Sequence, residues 1–272
     1  MAYIKLRGNN HFYEVYNTDR SETILLVHGH PFNHTMWRYQ YNALQNFRLL
    51  LPDLKGYGNT DYRFDRIFIE EQALDLALLL DALNIERVHL MGLSMGGQII
   101  VEFARLFPHR TQSLIICDSN PAGETPSSRT ARLQLADNML SIGMEQYTTQ
   151  DIHKYLHADT IANESPAYLH LRQMMLNTKV EGAVAAHRGR AERRDNFSYL
   201  HKIEVPALVI VGSDDFFTPV ADMQQVAGEL PNAQLVVIEN AGHMPNMEQP
   251  GAFNETVTQF YKRITNGTLL AG

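Results

Sequence analysis

Residues 88–101, Val88-His89-Leu90-Met91-Gly92-Leu93-Ser94-Met95-Gly96-Gly97-Gln98-Ile99-Ile100-Val101, decide the fold. They open on an apolar run of strand type (88–91), pass through G-x-S-x-G, and continue as a helix over 95–107 that stops before Pro108. A strand turning sharply into a helix around a serine exposes the hydroxyl at the helix N-terminus. There the helix dipole favours developing negative charge. Such a turn strains the serine backbone, and side chains at Gly92 and Gly96 would clash with the neighbouring strand and helix. The pentapeptide alone is weak, because Gly and Ser are common. The strand before it and the helix after it make it specific. The bland alternative is a glycine-rich turn that only packs a helix on a sheet.

Outward from this stretch the chain alternates strands and helices. Residues 23–27 (TILLV), 48–51 (RLLL), 113–117 (SLIIC), 207–211 (ALVIV) and 234–238 (QLVVI) are apolar runs suited to strands buried on both faces. Residues 3–6 and 11–16 alternate like short antiparallel edge strands. Helices are predicted over 67–83, 219–230 and 251–264. This order implies a parallel sheet with right-handed crossovers and helices on both faces, with chemistry at the carboxyl ends of the strands. Between about 119 and 203 no strong strand occurs. Pro121, Gly123, Pro126 and Ser127-Ser128 mark a loop, followed by helical stretches at 130–142, 149–156, 167–175 and 180–194. The expected organisation is a core in two parts, 1–118 and 204–272, with a helical insertion at 119–203.

A serine hydroxyl needs a base to become a nucleophile. Twelve histidines make histidine content uninformative, so position decides. His243 follows the strand at 234–238 in Asn240-Ala241-Gly242-His243, and Asp214 and Asp215 follow the strand at 207–211. The order Ser94, Asp, His243 is the chain order this strand–turn–helix motif expects. An ionised Asp would bond His Nδ1–H and stabilise the imidazolium. Singly, His243 could be a loop residue capping a helix and either Asp a turn residue. A tetrahedral intermediate also needs two backbone N–H donors. One is expected from Met95, after the nucleophile. The other is expected from His28-Gly29-His30-Pro31-Phe32, where Pro31 has no N–H and His30 is the candidate. Close histidines (His28, His30, His34) could instead hold zinc, but no acidic residue lies nearby in sequence.

Composition bounds the function. In 272 residues, 44% are apolar and 19% charged, which excludes disordered, collagen-like and low-complexity classes. A net charge of −7 disfavours generic nucleic-acid binding. One cysteine, Cys117, excludes an internal disulfide and a Cys-rich zinc site. No apolar run of membrane-spanning length and no secretory signature are found, so a cytoplasmic protein without membrane association is expected. The five Asn-x-Ser/Thr triplets, at Asn33, Asn163, Asn196, Asn254 and Asn266, are then chance matches.

Together these residues resemble the serine α/β-hydrolases, from about Thr23 to the C-terminal helix. His28-Gly29-His30-Pro31 with Trp37 resembles the family's oxyanion loop. Pro52-Asp53-Leu54-Lys55-Gly56-Tyr57-Gly58-Asn59-Thr60 resembles its D-x-x-G-x-G-x-S loop, with Thr60 in place of the usual serine. Gly92–Gly97 matches the nucleophile turn. In the acid loop the aspartate usually stands four residues before the proline, here Pro219, which favours Asp215. Asn240–Pro250 resembles the histidine loop, G-H-x-x-x-x-E-x-P. The resemblance implies an α/β-hydrolase fold: an eight-stranded, mostly parallel sheet with a helical lid after the sixth strand. Ser94 argues against dehalogenases and epoxide hydrolases, which use Asp there. Residues 188–219 are further similar to 3-oxoadipate enol-lactonases and related small esterases, through Arg193-Arg194-Asp195, Leu200, Ile203 and Pro206.

The implied activity is hydrolysis of a carboxylic ester or lactone of a small molecule, by a monomer or homodimer, with no cofactor or metal. Relatives that cleave C–C bonds, eliminate pyruvate, carry out perhydrolysis or act as slow-turnover sensors keep the same triad. The lid should close over Ser94. Its Met139, Leu140, Met144, Tyr147, Leu156, Met174 and Met175 suggest an adaptable apolar wall, although apolar residues at helical spacing are more often core. Phe32, Trp37, Phe217 and Met244, beside the three loops, complete the expected substrate wall. Among Arg188, Arg190, Arg193 and Arg194, one would anchor a substrate carboxylate; Arg188 is the expected one. A solvated face is the alternative, as it is for His153 and His157, four apart.

Overall fold

The computed structural model describes residues 1–63 and 65–267. Phe64 and the last five residues of the expected 204–272 segment lie outside the described residues. Strands β1 (Ala2–Leu6) and β2 (Asn9–Tyr16) form an antiparallel hairpin, with Tyr3 opposite Phe12. The chain then runs through β3 (Thr23–Val27), β4 (Arg48–Pro52), α1 (Ile69–Ala82), β5 (Val88–Leu93), α2 (Met95–Leu106) and β6 (Thr111–Cys117). The helices α3 (Pro126–Asp151), α4 (Ala158–Ala162), α5 (Pro166–Asn177) and α6 (Val180–Arg190) precede β7 (Ala207–Gly212). The chain closes with α7 (Val220–Glu229), β8 (Ala233–Ile238), α8 (Pro245–Glu248) and α9 (Pro250–Thr265).

The eight strands form one sheet in the order β1-β2-β4-β3-β5-β6-β7-β8. Only the pairings of β2 are antiparallel. The protein has an α/β-hydrolase fold, with the helices α3–α6 inserted after the sixth strand. Strand periodicity explains the two layers. Ile24 and Leu26 of β3 join one apolar cluster with Phe253 and Val257 of α9, while Leu25 and Val27 join another with residues of α1, α2 and α7. Every residue of β3, β5 and β7 is buried, which is why these strands read as unbroken apolar runs.

The inserted helices dock through the first cluster. Met139, Met144, Leu156, Leu171, Met174 and Met175 are buried in it together with β-strand residues. Thr125 caps α3 by accepting the Ser128 N–H, and Ser165 caps α5 before Pro166. The helix expected at 149–156 is corrected. The chain kinks at Gly143 (φ 74°) and resumes as α3 to Asp151, ending in a 3₁₀ turn at Ile152–Lys154. The helix expected to reach residue 194 stops at Arg190; the Ala191 N–H still bonds four residues back, but those of Glu192 and Arg193 bond three back.

Candidate active site

The nucleophile turn is built by close backbone approach. Ser94 has φ 55° and ψ −118°, a left-handed conformation costly for a side-chain-bearing residue. A Cβ on Gly96 would lie 2.2 Å from the Val27 carbonyl oxygen, and one on Gly92 would lie 2.4 Å from that of Gly96. Gly29 passes so near that its Cβ would meet Ser94 Cβ at 3.2 Å. The loop carrying His30 therefore lies against Ser94. Met95 is the first residue of α2, where backbone N–H groups have no acceptor within the helix.

The loops after β7 and β8 touch: a Cβ on Gly212 would lie 1.9 Å from the Gly242 carbonyl oxygen. This brings Asp215 to His243. His243 Nδ1 lies 2.9 Å from both Asp215 oxygens. Asp215 Oδ1 also accepts the Phe217 N–H at 2.8 Å, and Oδ2 accepts the Thr218 hydroxyl. Burial works against ionisation of Asp215, but the His243 charge and these hydrogen bonds outweigh it and lower the pKa. Asp214 is half-exposed and accepts from the Ser213 hydroxyl instead. Glu248 holds the histidine loop, accepting the Gly242 N–H at 2.8 Å and the His157 N–H at 2.7 Å.

Behind Asp215 stands Asp118, at the carboxyl end of β6. Its Oδ1 accepts the Gly212 N–H at 2.9 Å, while Oδ2 is buried without a partner. Burial, then the charge of Asp215, pushes the Asp118 carboxyl well above the usual range. Two buried carboxylates this close cannot both ionise readily, so the proton stays on Asp118. Ligand-type atoms of Asp118, Asp215 and His243 lie within 4.8 Å of one another. This is the only such group among the described residues. Its Asp215 and His243 are already bonded to each other, so acid–base pairing accounts for the cluster. The strand-end rule that located Asp215 applies equally to Asp118.

Ser94, His243 and His30 line one cavity of about 380 Å³. Tyr147 and Phe217 also line it, as expected, together with Tyr155, Gln98, His187, Arg132, Arg190 and Arg193. Six expected substrate-wall residues are corrected. Phe32, Trp37, Met139, Met174 and Met244 are buried in the apolar cluster, with Trp37 packed on Phe253 and Phe32 edge-on to Tyr155. Arg188 points away from the cavity and donates to Asp137 at 3.0 Å. Positions 187 and 190 share a face of α6, and 188 is rotated about 100° from 187.

Arg190 is the cavity's distinctive cation. Its Nε donates to Gln98 Oε1 at 3.2 Å, and it forms no ion pair with a carboxylate among the described residues. Burial, then the charges of Arg132 and Arg193, lowers its hold on its proton well below the ordinary value. A guanidinium so placed is short of a negative neighbour. Arg132 and Arg193 both pair with Glu124. Burial opposes ionisation of Glu124, but the two arginines and a Ser128 hydrogen bond hold its pKa down to about 2.

The remaining candidates have structural partners. His28 Nε2 accepts the Leu54 N–H at 2.9 Å, and burial pushes its pKa down to about 4. His34 Nδ1 bonds Asp53 at 2.7 Å. Thr60, in the usual serine position, donates to the Asp53 carbonyl at 2.6 Å and accepts the Phe12 N–H. His157 caps α4, and His153 is exposed. No helix among the described residues is long and apolar enough to cross a membrane.

This fold and this nucleophile turn define an α/β-hydrolase. The family described as alpha/beta hydrolase fold matches residues 22–250, and the chain belongs to it. The malate-bound structure of a thermophilic esterase from Thermogutta terrifontis is similar with a TM-score of 0.92 and 31% identity, over 97% of this chain and 99% of that one. A 2-hydroxy-6-oxononadienedioate/2-hydroxy-6-oxononatrienedioate hydrolase from Burkholderia vietnamiensis is 28% identical, over 89% of this chain and 88% of the relative. 3-Oxoadipate enol-lactonase 1 from Acinetobacter baylyi is 27% identical, over 92% of each.

Proposed function

We propose that this protein hydrolyses a carboxylic ester or lactone whose acyl or alcohol part carries a carboxylate. Ser94 attacks the carbonyl, and His243 takes its proton and later activates water. Asp215 orients and charges against His243, and the backbone N–H groups of His30 and Met95 hold the oxyanion. The observation that carries the substrate class is Arg190: a buried guanidinium lining the same cavity as Ser94, without a carboxylate partner among the described residues. A substrate carboxylate would supply that partner in a bidentate pair. The similar proteins agree in kind: a malate-bound esterase, a dienedioate hydrolase and an oxoadipate lactonase all involve carboxylates.

The test compares p-nitrophenyl butyrate with the p-nitrophenyl monoester of glutaric acid, using wild type, Ser94→Ala and Arg190→Gln. Ser94→Ala should leave only background rate on both. Arg190→Gln should raise KM for the anionic ester at least tenfold, as losing a hydrogen bond to a charged group implies, and leave the neutral one nearly unchanged. Equal effects on both esters would remove the carboxylate from the reading. A single burst without turnover would favour C–C cleavage, lyase chemistry or a sensor, for which the same triad serves.

A further inference from the structure

A chain of side chains crosses the cavity wall from the inserted helices to both residues read above as oxyanion donors. Arg132 Nη1 on α3 lies 3.5 Å from His187 Nδ1 on α6. His187 Nε2 lies 3.0 Å from His30 Nε2. His30 Nδ1 lies 2.7 Å from Tyr57 Oη, and the Tyr57 hydroxyl donates to Met95 Sδ at 4.0 Å. All the links after Arg132 are buried.

Donor chemistry fixes the direction of every link. A guanidinium only donates, so His187 Nδ1 accepts and its proton sits on Nε2. That proton is donated to His30 Nε2, which leaves the His30 proton on Nδ1. His30 Nδ1–H then donates to the Tyr57 oxygen, and the Tyr57 hydroxyl is free to donate to Met95 sulfur. One tautomer assignment satisfies all four contacts. It requires both imidazoles to be neutral. Burial keeps them so, with added repulsion from Arg132 on α3, Arg190 on α6 and, for His30, His28 at the end of β3. The pair also touch as rings, with centroids 4.2 Å apart.

We propose that Arg132, His187, His30, Tyr57 and Met95 form a directional hydrogen-bond chain through which the inserted helices set the oxyanion hole, with His187 as the positioning residue that joins lid to core. The proposal rests on reading His30 and Met95 as the oxyanion donors. The His30 ring nitrogens bond Tyr57 and His187, and these are their hydrogen bonds among the described residues. Losing the His187 link leaves a buried acceptor unpaired on His30, and the loop must shift to satisfy it. A displaced donor weakens a tetrahedral oxyanion more than a ground-state ester, because alignment matters most where charge develops.

The test measures kcat, KM and the affinity of a phenylboronic acid, which forms a tetrahedral adduct on the serine, for wild type, His187→Phe, His187→Gln and Tyr57→Phe. His187→Phe should lower kcat and boronate affinity about tenfold, short of the hundredfold or more that outright loss of a donor costs. KM for p-nitrophenyl butyrate should hold. His187→Gln, whose amide can accept from Arg132 and donate to His30, should restore most of both losses. Tyr57→Phe breaks the chain from the core side and tests it without altering the lid, should His187→Phe not fold. Unchanged boronate affinity in folded His187→Phe and Tyr57→Phe would overturn the chain. So would equal losses in the Phe and Gln variants. Ser94→Ala in the same assay separates the two readings. If it keeps wild-type turnover, the serine mechanism itself is wrong. If it is inactive while the chain variants are unaffected, only the chain is wrong.

Discussion

Replacing Asp215 by Asn tests the triad with almost no change of shape. The structure decides how that Asn would sit. Oδ1 accepts the Phe217 N–H at 2.8 Å, so the amide oxygen must take that side, since two N–H groups cannot face each other. The amide NH₂ then falls at the Oδ2 position, where the Thr218 hydroxyl can turn to accept and where His243 Nδ1 lies within 2.9 Å. Nδ1 then has the amide oxygen on one side and the NH₂ donor on the other, both at 2.9 Å; pairing with the donor makes Nδ1 the acceptor and moves the imidazole proton to Nε2. An imidazole in that tautomer cannot take the Ser94 proton. The expected cost is about 10⁴-fold in kcat, or about 5.4 kcal/mol at 1.36 kcal/mol per tenfold. The assay is turnover of p-nitrophenyl butyrate from pH 5 to 9, with a thermal melt to show that the fold is retained. Asp214→Asn is the control. Asp214 is half-exposed and bonds Ser213, so that variant should stay within about twofold of wild type. An Asp215→Asn enzyme within tenfold of wild type would refute the assignment, as would an Asp214→Asn variant that loses more.

Two further outcomes follow from the packing and the charges. Gly96→Ala would place a methyl 2.2 Å from the Val27 carbonyl oxygen and 2.7 Å from that of His28. Backbone atoms cannot swing aside, so β3 must move; the variant should lose about 1–3 kcal/mol and, with Ser94 two residues away, most of its turnover. A wild-type melting curve with full activity would show the turn to be looser than described. Glu124 has a folded pKa of about 2, below its ordinary 4.5, so its contribution is fully present above about pH 4.5 and is lost as pH falls towards 2. In urea titrations, wild type should exceed Glu124→Gln by at most about 3 kcal/mol at pH 7, and the gap should narrow at pH 3.5. A gap that does not change with pH would mean that Glu124 acts through packing alone.

The candidate site was legible because each part is local in sequence and sits at a strand end. The turn at Ser94, the acid loop before Pro219 and the glycine before His243 are short signals, and the sheet does the work of bringing them together. The choice of Asp215 over Asp214 needed the loop resemblance, and the hydrogen bonds agree with it. Asp118 was missed although it also ends a strand, because nothing in the sequence says that a second carboxyl lies behind the first. The substrate wall was legible only in part. Met139 and Met174 look adaptable in sequence, but helical spacing equally describes residues packed on the sheet, and packing is what they do. Arg188 and Arg190 differ by two positions, about 200° around α6. Only the docked helix reveals that Arg190, with His187 one turn before it, faces Ser94.

Net charge misleads about this cavity. The chain carries −7, which argues against binding polyanions over its surface. Locally the sum is reversed. Arg132, Arg190 and Arg193 border the cavity, and Glu124 is the carboxylate that pairs with two of them. The other acids near the nucleophile are committed: Asp215 to His243, Thr218 and Phe217, and Asp118 as a neutral group. One guanidinium, that of Arg190, is therefore left lining the cavity of Ser94 without a carboxylate partner among the described residues, and largely buried there it offers an anion more than a surface cation would. Burial keeps His30 and His187 neutral and the same cations add to it, and only neutral imidazoles can each donate and accept in the chain that reaches Met95. On the proposed reading, the arginines that would select an anionic substrate also support the protonation state on which the proposed oxyanion loop depends. A lid variant that removes Arg190 should then shift the acid limb of the pH profile as well as KM.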